Sequence, residues 1–290
     1  MPTSSDSPPP GAPGNPPQRP DSQAGDQPRD AGRPPPVLRL QDVAAGYGAA
    51  AIVSGVSISV GPREVVSVIG PNGAGKSTFF NCLTGDLSST SGRVFFEGRD
   101  VTRLAPEIRA QLGLARTFQV PQTFESMSVV ENVMIGAFLR TSHRSDAERR
   151  SQAVLERVGM GRLAQAPARS LGTPGRKRLE IARALATEPK VLLLDEAMAG
   201  LTQREVQLAI DLVRDIHRSG ITLIIVEHIM EVIMSLATSL MVFHQGREIA
   251  RGGPGEVTRN PAVIEAYLGK RAASAAASHI PIELMGGPPT

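Results

Sequence analysis

Gly70-Pro71-Asn72-Gly73-Ala74-Gly75-Lys76-Ser77-Thr78 decides the reading of this chain. The run fits the pattern G-x-x-x-x-G-K-[ST], which arises by chance in roughly one chain in a hundred of this length. It also sits where that pattern must sit, after an apolar run (Val65, Val66, Val68, Ile69) and before a helix predicted through about Leu83. Closely spaced glycines let successive backbone N–H groups face phosphate oxygens, and the helix that follows adds the positive end of its dipole. In this reading Gly70, Asn72, Gly73, Gly75 and Thr78 belong to a nucleotide cradle. Lys76 reaches the β- and γ-phosphates of ATP, and Ser77 ligates Mg²⁺. A Gly-rich structural turn is the plain alternative.

Upstream of the loop, Val37, Leu38, Leu40 and Val43 read as a half-buried strand that leads to the turn Gly46-Tyr47-Gly48. Val56, Ile58 and Val60 alternate as a second strand ending at Gly61-Pro62, so the pair reads as antiparallel and marginal to the sheet. Downstream, Arg93 to Phe96 reads as a strand and Gly98 to Asp100 as a turn. Pro106 to Val158 is largely helical around a short extended stretch, Leu114 to Phe118. Ser145 and Glu148 suggest a capping box, and Thr173-Pro174 an N-cap followed by the first helical residue. Beyond that point strand-length apolar runs and amphipathic helices alternate: Val191 to Leu194, the face Val206, Ala209, Ile210 and Val213, Ile221 to Val226, and Leu240 to Phe243. Such alternation implies an α/β fold with a mostly parallel central sheet, here with an antiparallel β edge and a helical insertion over about 120–188. Gly246 to Ile249 reads as a last strand and Pro261 to Leu268 as a last short helix.

Residues 1–36 hold half of the 24 prolines and almost no aliphatic side chains, so they are expected to form a disordered tail. The ordered domain is expected over 37–270, followed by a low-complexity tail over 271–290. At 290 residues, 41% of them hydrophobic, the chain can bury a real core. A net charge of +3 without aromatic–basic alternation points away from a nucleic-acid partner. The single Cys82 excludes an internal disulfide framework and suggests a reducing compartment. No apolar run reaches the roughly 18 residues of a membrane span, and no secretory leader is legible. A cytoplasmic location is expected.

Four further positions could carry chemistry. Asp195 and Glu196 follow four aliphatic residues at the carboxyl end of a predicted strand, the edge where open α/β sheets bind ligands. Asp195 would hold Mg²⁺ through its water shell, and Glu196 would orient or deprotonate a water. Glu227-His228 closes another strand on the same side, so His228 could hold the water or a γ-phosphate, although alone it reads as a polar cap. Gln119, at the junction with the helical insertion, could reach Mg²⁺ or the water, and alone it carries no signal. Tyr47 could lay its ring on adenine or pack in the core.

Aromatic turn, phosphate loop, glutamine, helical insertion, Asp-Glu strand and histidine strand, in that order, resemble the ATP-binding subunits of ABC transporters from about Val37 to Gly269. The resemblance implies roles for Tyr47 (adenine stacking), Gln119 (Q-loop), Asp195 and Glu196 (Walker B pair) and His228 (switch histidine). Arg116 to Gln119, Met127 to Val133, Arg178 to Arg183 and Glu265 to Gly269 look like the branched-chain amino acid importer ATPases. That likeness implies a subunit on the cytoplasmic face of the membrane, energising permease subunits and, indirectly, a solute-binding protein. Phe124 and Met127 are the contacts expected at the permease groove.

The sequence departs from this family where L-S-x-G-Q is usual. Leu171 is followed by Gly172, Thr173, Pro174 and Gly175, which lack the serine hydroxyl and one backbone N–H. Ala197 and Thr202 are smaller departures. Because each site of an ATPase dimer joins one chain's phosphate loop to the other chain's signature, a heterodimer with a partner of intact signature is expected. A soluble ATPase acting on ribosomes or DNA, or a nucleotide-binding regulator with weak hydrolysis, are the alternatives.

Overall fold

The computed structural model describes residues 34–48 and 50–268, so nearly all of the expected N-terminal tail and all of the C-terminal one lie outside the described residues. In chain order the elements are β1 (Leu38–Tyr47), β2 (Ala50–Val60), β3 (Val65–Ile69), α1 (Lys76–Thr84), β4 (Ser89–Phe96), β5 (Arg99–Asp100), α2 (Pro106–Leu112) and β6 (Leu114–Arg116). They continue with α3 (Val129–Ala137), α4 (Arg144–Arg157), α5 (Thr173–Leu185), β7 (Val191–Asp195), α6 (Gln203–Arg218), β8 (Thr222–Val226), α7 (Met230–Leu236), β9 (Ser239–His244), β10 (Arg247–Gly252), α8 (Pro254–Val257) and α9 (Pro261–Leu268).

The uninterrupted apolar runs become central strands. All five residues of β3, β7 and β8 are buried, as expected for strands covered on both faces. The sheet order is β10-β9-β3-β8-β7-β6, parallel throughout except for β10. The alternating strands β1 and β2 pair antiparallel, as their pattern implies, and join β4 and β5 in a sheet of their own, ordered β2-β1-β4-β5.

Strand periodicity then divides the core. On β7, Val191 and Leu193 join a cluster containing Leu38, Leu40, Phe79 and Phe80, so α1 lies between the two sheets. Leu192 and Leu194 face the other way, into a cluster with Val133, Leu179, Ile210 and Val213 from α3, α5 and α6. A third cluster unites Ile69, Leu240 and Val242 with Ile233, Val257, Val263 and Tyr267. Each fully buried Leu, Ile or Phe contributes on the order of 2 kcal/mol of transfer free energy.

Two local expectations are corrected. The fourth strand begins at Ser89, because Ser91 and Ser89 pair with the β1 backbone at Ala44 and Ala45 after a register shift. Gly92 makes the approach feasible at φ 78, where a Cβ would lie 2.3 Å from Asp42 O. Its Ser-Thr-Ser-Gly start has no apolar alternation to announce it. The capping box at Ser145 and Glu148 does not form: α4 starts at Arg144, His143 is its N-cap, and Ser145 is already helical. The reciprocal boxes belong to Ser128/Glu131 on α3 and Thr202/Glu205 on α6.

Candidate functional site

The phosphate loop spans the gap between β3 and α1. Left-handed backbone at Gly73 (φ 78) and Gly75 (φ 102) turns the chain tightly, and Gly75 caps α1 without a side-chain bond, leaving first-turn N–H groups open. Lys76 is buried and donates from Nζ to Gly70 O at 2.7 Å and Pro71 O at 3.1 Å. Burial pulls its ammonium below the ordinary lysine range, while the charges of Glu196 and Asp195 pull it back up. Asn72, Gly73 and Ser77 are exposed, whereas Thr78 is buried. The backbone donors, one ammonium and the Ser77 hydroxyl make a set suited to a polyphosphate.

The neighbouring order β6-β7-β8 explains why the other predicted residues meet. Gln119 follows β6, Asp195 and Glu196 end β7, and His228 follows β8, so all emerge at the carboxyl edge of adjacent parallel strands. Gln119 Nε2 donates to Glu196 Oε2 at 2.7 Å, and His228 Nε2 lies 2.9 Å from Glu196 Oε1. Both oxygens of one carboxylate are thus held, on a residue whose backbone is itself left-handed (φ 47). Tyr47 is 54% exposed, so its ring is not core, and its hydroxyl accepts from Asn81 Nδ2 at 2.9 Å.

Four residues here had no role from sequence. Arg116 Nη2 donates to Asp195 Oδ2 at 2.8 Å, and Asn81 joins Arg116 to Tyr47. Lys177 of α5 donates to Glu196 O at 2.9 Å, and Glu227 accepts from Met198 N at 2.9 Å. These two bonds fix the loop that follows Glu196 from two directions. Glu227 is 1% exposed, and desolvation pushes its carboxyl up to about 7 despite the hydrogen bonds from Met198 and His228 and the Lys177 charge. Arg116 was legible only as part of a motif, and the others carried no local signal.

Gly172 to Gly175 form the turn into α5. The expected caps shift by one residue: Gly172 is the N-cap, with no side-chain bond, Thr173 is the first helical residue and Pro174 follows it. Proline fits in this turn because its absent N–H has no helical acceptor there. Gly172 and Thr173 are exposed, and Gly172 O accepts from Arg176 N at 2.9 Å.

The family model for ABC transporters matches residues 53–199. The high-affinity branched-chain amino acid transport ATP-binding protein LivG of Salmonella typhimurium is 36% identical over 253 residues, which cover 81% of this chain and 98% of that protein. The chain belongs to the ABC transporter family. It is an ATP-hydrolysing, ATP-binding subunit that energises a membrane transporter. A second model, for branched-chain amino acid ATP-binding cassette transporters, matches residues 247–273 of this ABC ATPase. The lipopolysaccharide export system ATP-binding protein LptB of Acidithiobacillus ferridurans is 35% identical over 235 residues, covering 80% of this chain and 97% of that protein. Among solved structures, an ATP-binding cassette of an ABC transporter in its ADP conformation superposes with a TM-score of 0.73 at 32% identity, covering 81% of this chain and 99% of that one. Among the described residues no helix is long and apolar enough to cross a membrane.

Proposed function

We propose that this ABC ATPase powers an importer of branched-chain amino acids or similar small solutes, with Glu196 as the residue that activates water. The observation that carries the chemistry is the double hold on Glu196 by Gln119 and His228. A carboxylate fixed at both oxygens, at the strand edge beside the phosphate loop, can keep a water in line with a γ-phosphate and accept its proton. His228 then holds Glu196 through the proton transfer, and Lys76 exchanges Gly70 O and Pro71 O for phosphate oxygens. Tyr47 offers its exposed ring to adenine.

The donor set also fits Mg²⁺. One exposed hydroxyl on Ser77, one carboxylate on Asp195 and the Gln119 amide are what that cation uses beside substrate phosphates, in place of an all-protein cage. Bound there, Mg²⁺ would neutralise phosphate charge. The residues themselves orient the oxygens and move the proton.

For the assembly, the departed turn Gly172 to Gly175 supports pairing with a second ATP-binding subunit whose signature is intact. Phe118, Val120 and Phe124 are 42%, 68% and 49% exposed on the segment between β6 and α3, with Phe138 at 46% beyond α3. So much exposed aromatic and aliphatic surface on one segment suits a permease loop at the cytoplasmic face of the membrane. Met127, expected there too, is only half-buried and marginal to the patch. The branched-chain reading of the solute rests on the match over 247–273, and the likeness to LptB favours a lipid-export reading as the second one.

Reconstituting the complex purified from membranes into liposomes tests this. Labelled leucine, isoleucine or valine should accumulate with ATP. Glu196→Gln should keep ATP bound while lowering turnover at least about 10²-fold. Unaltered turnover in that variant would refute the role of Glu196, and lipid extraction in place of uptake would replace the solute.

A further inference from the structure

Arg116 makes contacts that none of the roles above uses. Its side chain is 9% exposed and sits between two anions, with Nη2 2.8 Å from Asp195 Oδ2 and Nη1 3.5 Å from Asp86 Oδ2. Nη1 also donates to Asn81 Oδ1 at 2.6 Å, and Asn81 Nδ2 donates in turn to the Tyr47 hydroxyl at 2.9 Å. An unbroken polar chain therefore runs from the exposed tyrosine ring through α1 to the carboxylate at the end of β7. Phe118 covers the guanidinium at 5.0 Å from its ring centroid, and Phe80 stands at 5.8 Å. The Arg116 Nε is buried and has no partner among the described residues. Asp195 is almost wholly withdrawn from water, with a side chain 5% exposed, so its ionised form needs a nearby cation.

We infer that Arg116 is a positioning residue that competes with the divalent cation for Asp195 and ties that competition to the Gln119 segment. This rests on the reading of Asp195 as a metal-holding carboxylate. The physical reason is charge. A guanidinium 2.8 Å from the carboxylate and a divalent cation on the same group repel each other at short range in a poorly solvated site. When the cation takes Asp195, Arg116 retains Asn81 and Asp86 but loses its strongest partner. Its displacement acts on the ring of Phe118, which adjoins Gln119 in sequence. The bidentate reach to Asp195 and Asn81 requires the planar fork of arginine, which lysine does not have.

The test uses the full chain with a fluorescent ADP analogue, titrating Mg²⁺ and following bound nucleotide; no turnover is needed. Arg116→Gln removes the competing charge, so the Mg²⁺ midpoint should fall several-fold, and amide exchange over residues 117–122 should quicken. Arg116→Lys keeps a cation in the core and serves if the glutamine variant does not fold, with a smaller fall expected. A purely structural role would raise the midpoint by loosening the site. An unchanged or raised midpoint in a folded variant overturns the inference. Asp195→Asn separates the two readings. If it leaves the midpoint unmoved, Asp195 does not hold the metal and both fail. If it raises the midpoint while the Arg116 variants leave theirs in place, only the competition fails.

Discussion

Glu227 shows how one buried side chain couples stability to pH. Its carboxyl sits near 7 against an ordinary 4.5, with burial as the main cause. A raised carboxyl stabilises the fold fully below pH 4.5, and that contribution is lost as pH rises through about 7. Glu227→Gln keeps an acceptor for Met198 N and removes the titration. Urea unfolding between pH 4 and 8 should therefore show wild type losing on the order of 3 kcal/mol relative to this variant across the interval. Glu180, also raised by burial, adds a slope of the same sign in both proteins. Parallel curves would show that the buried carboxyl is compensated. Such residues could not be read from sequence, because Glu227 looks like any strand-ending acid until the fold withdraws it from water against Met198 N, 29 positions away. The phosphate loop and Asp195-Glu196 were legible because their spacing and apolar lead-in are local. Arg116 was not, since its partner Asp195 lies 79 positions away.

At the scale of elements, apolar runs announced β3, β7 and β8, and the alternation in β1 and β2 announced their antiparallel pairing. Caps were misread, because S-x-x-E describes residue types while a cap depends on extended backbone at the serine. Thr202 has that backbone (φ -68, ψ 159), and its hydroxyl accepts from Glu205 N. Ser145 sits one residue inside α4. Thr202→Ala should lower stability by about 1 kcal/mol, and Ser145→Ala by less than about 0.5 kcal/mol, in the same urea experiment. Equal losses would remove the box from the account of α6. Thr202, one of the smaller departures from the family pattern, thus has a structural task, starting the helix that follows the Glu196 loop.

For the whole molecule, the proposed site carries its own phosphate-binding, carboxylate and histidine groups, and in this reading Gly172 to Gly175 stand as its signature turn. In the proposed role, Pro174 leaves that turn one backbone N–H short for a γ-phosphate on a neighbouring chain, and Gly172 brings no hydroxyl to replace it. The chain purified alone at high concentration should hydrolyse ATP slowly, and adding a partner subunit with an intact signature should raise the rate at least about tenfold. Fast cooperative hydrolysis without a partner, measured by phosphate release, would refute the heterodimer.

The position of β3 has a further consequence, for the birth of the protein. The strand that carries the phosphate loop is hydrogen-bonded to β8 and β9, and Val65 N reaches 173 positions along the chain to Thr238 Oγ1. Emerging from a ribosome, β3 must wait unpaired while all of the helical region is made. Its four apolar residues are during that time a sticky segment in search of a strand, and the nucleotide cradle takes shape only as the last third of the described chain arrives.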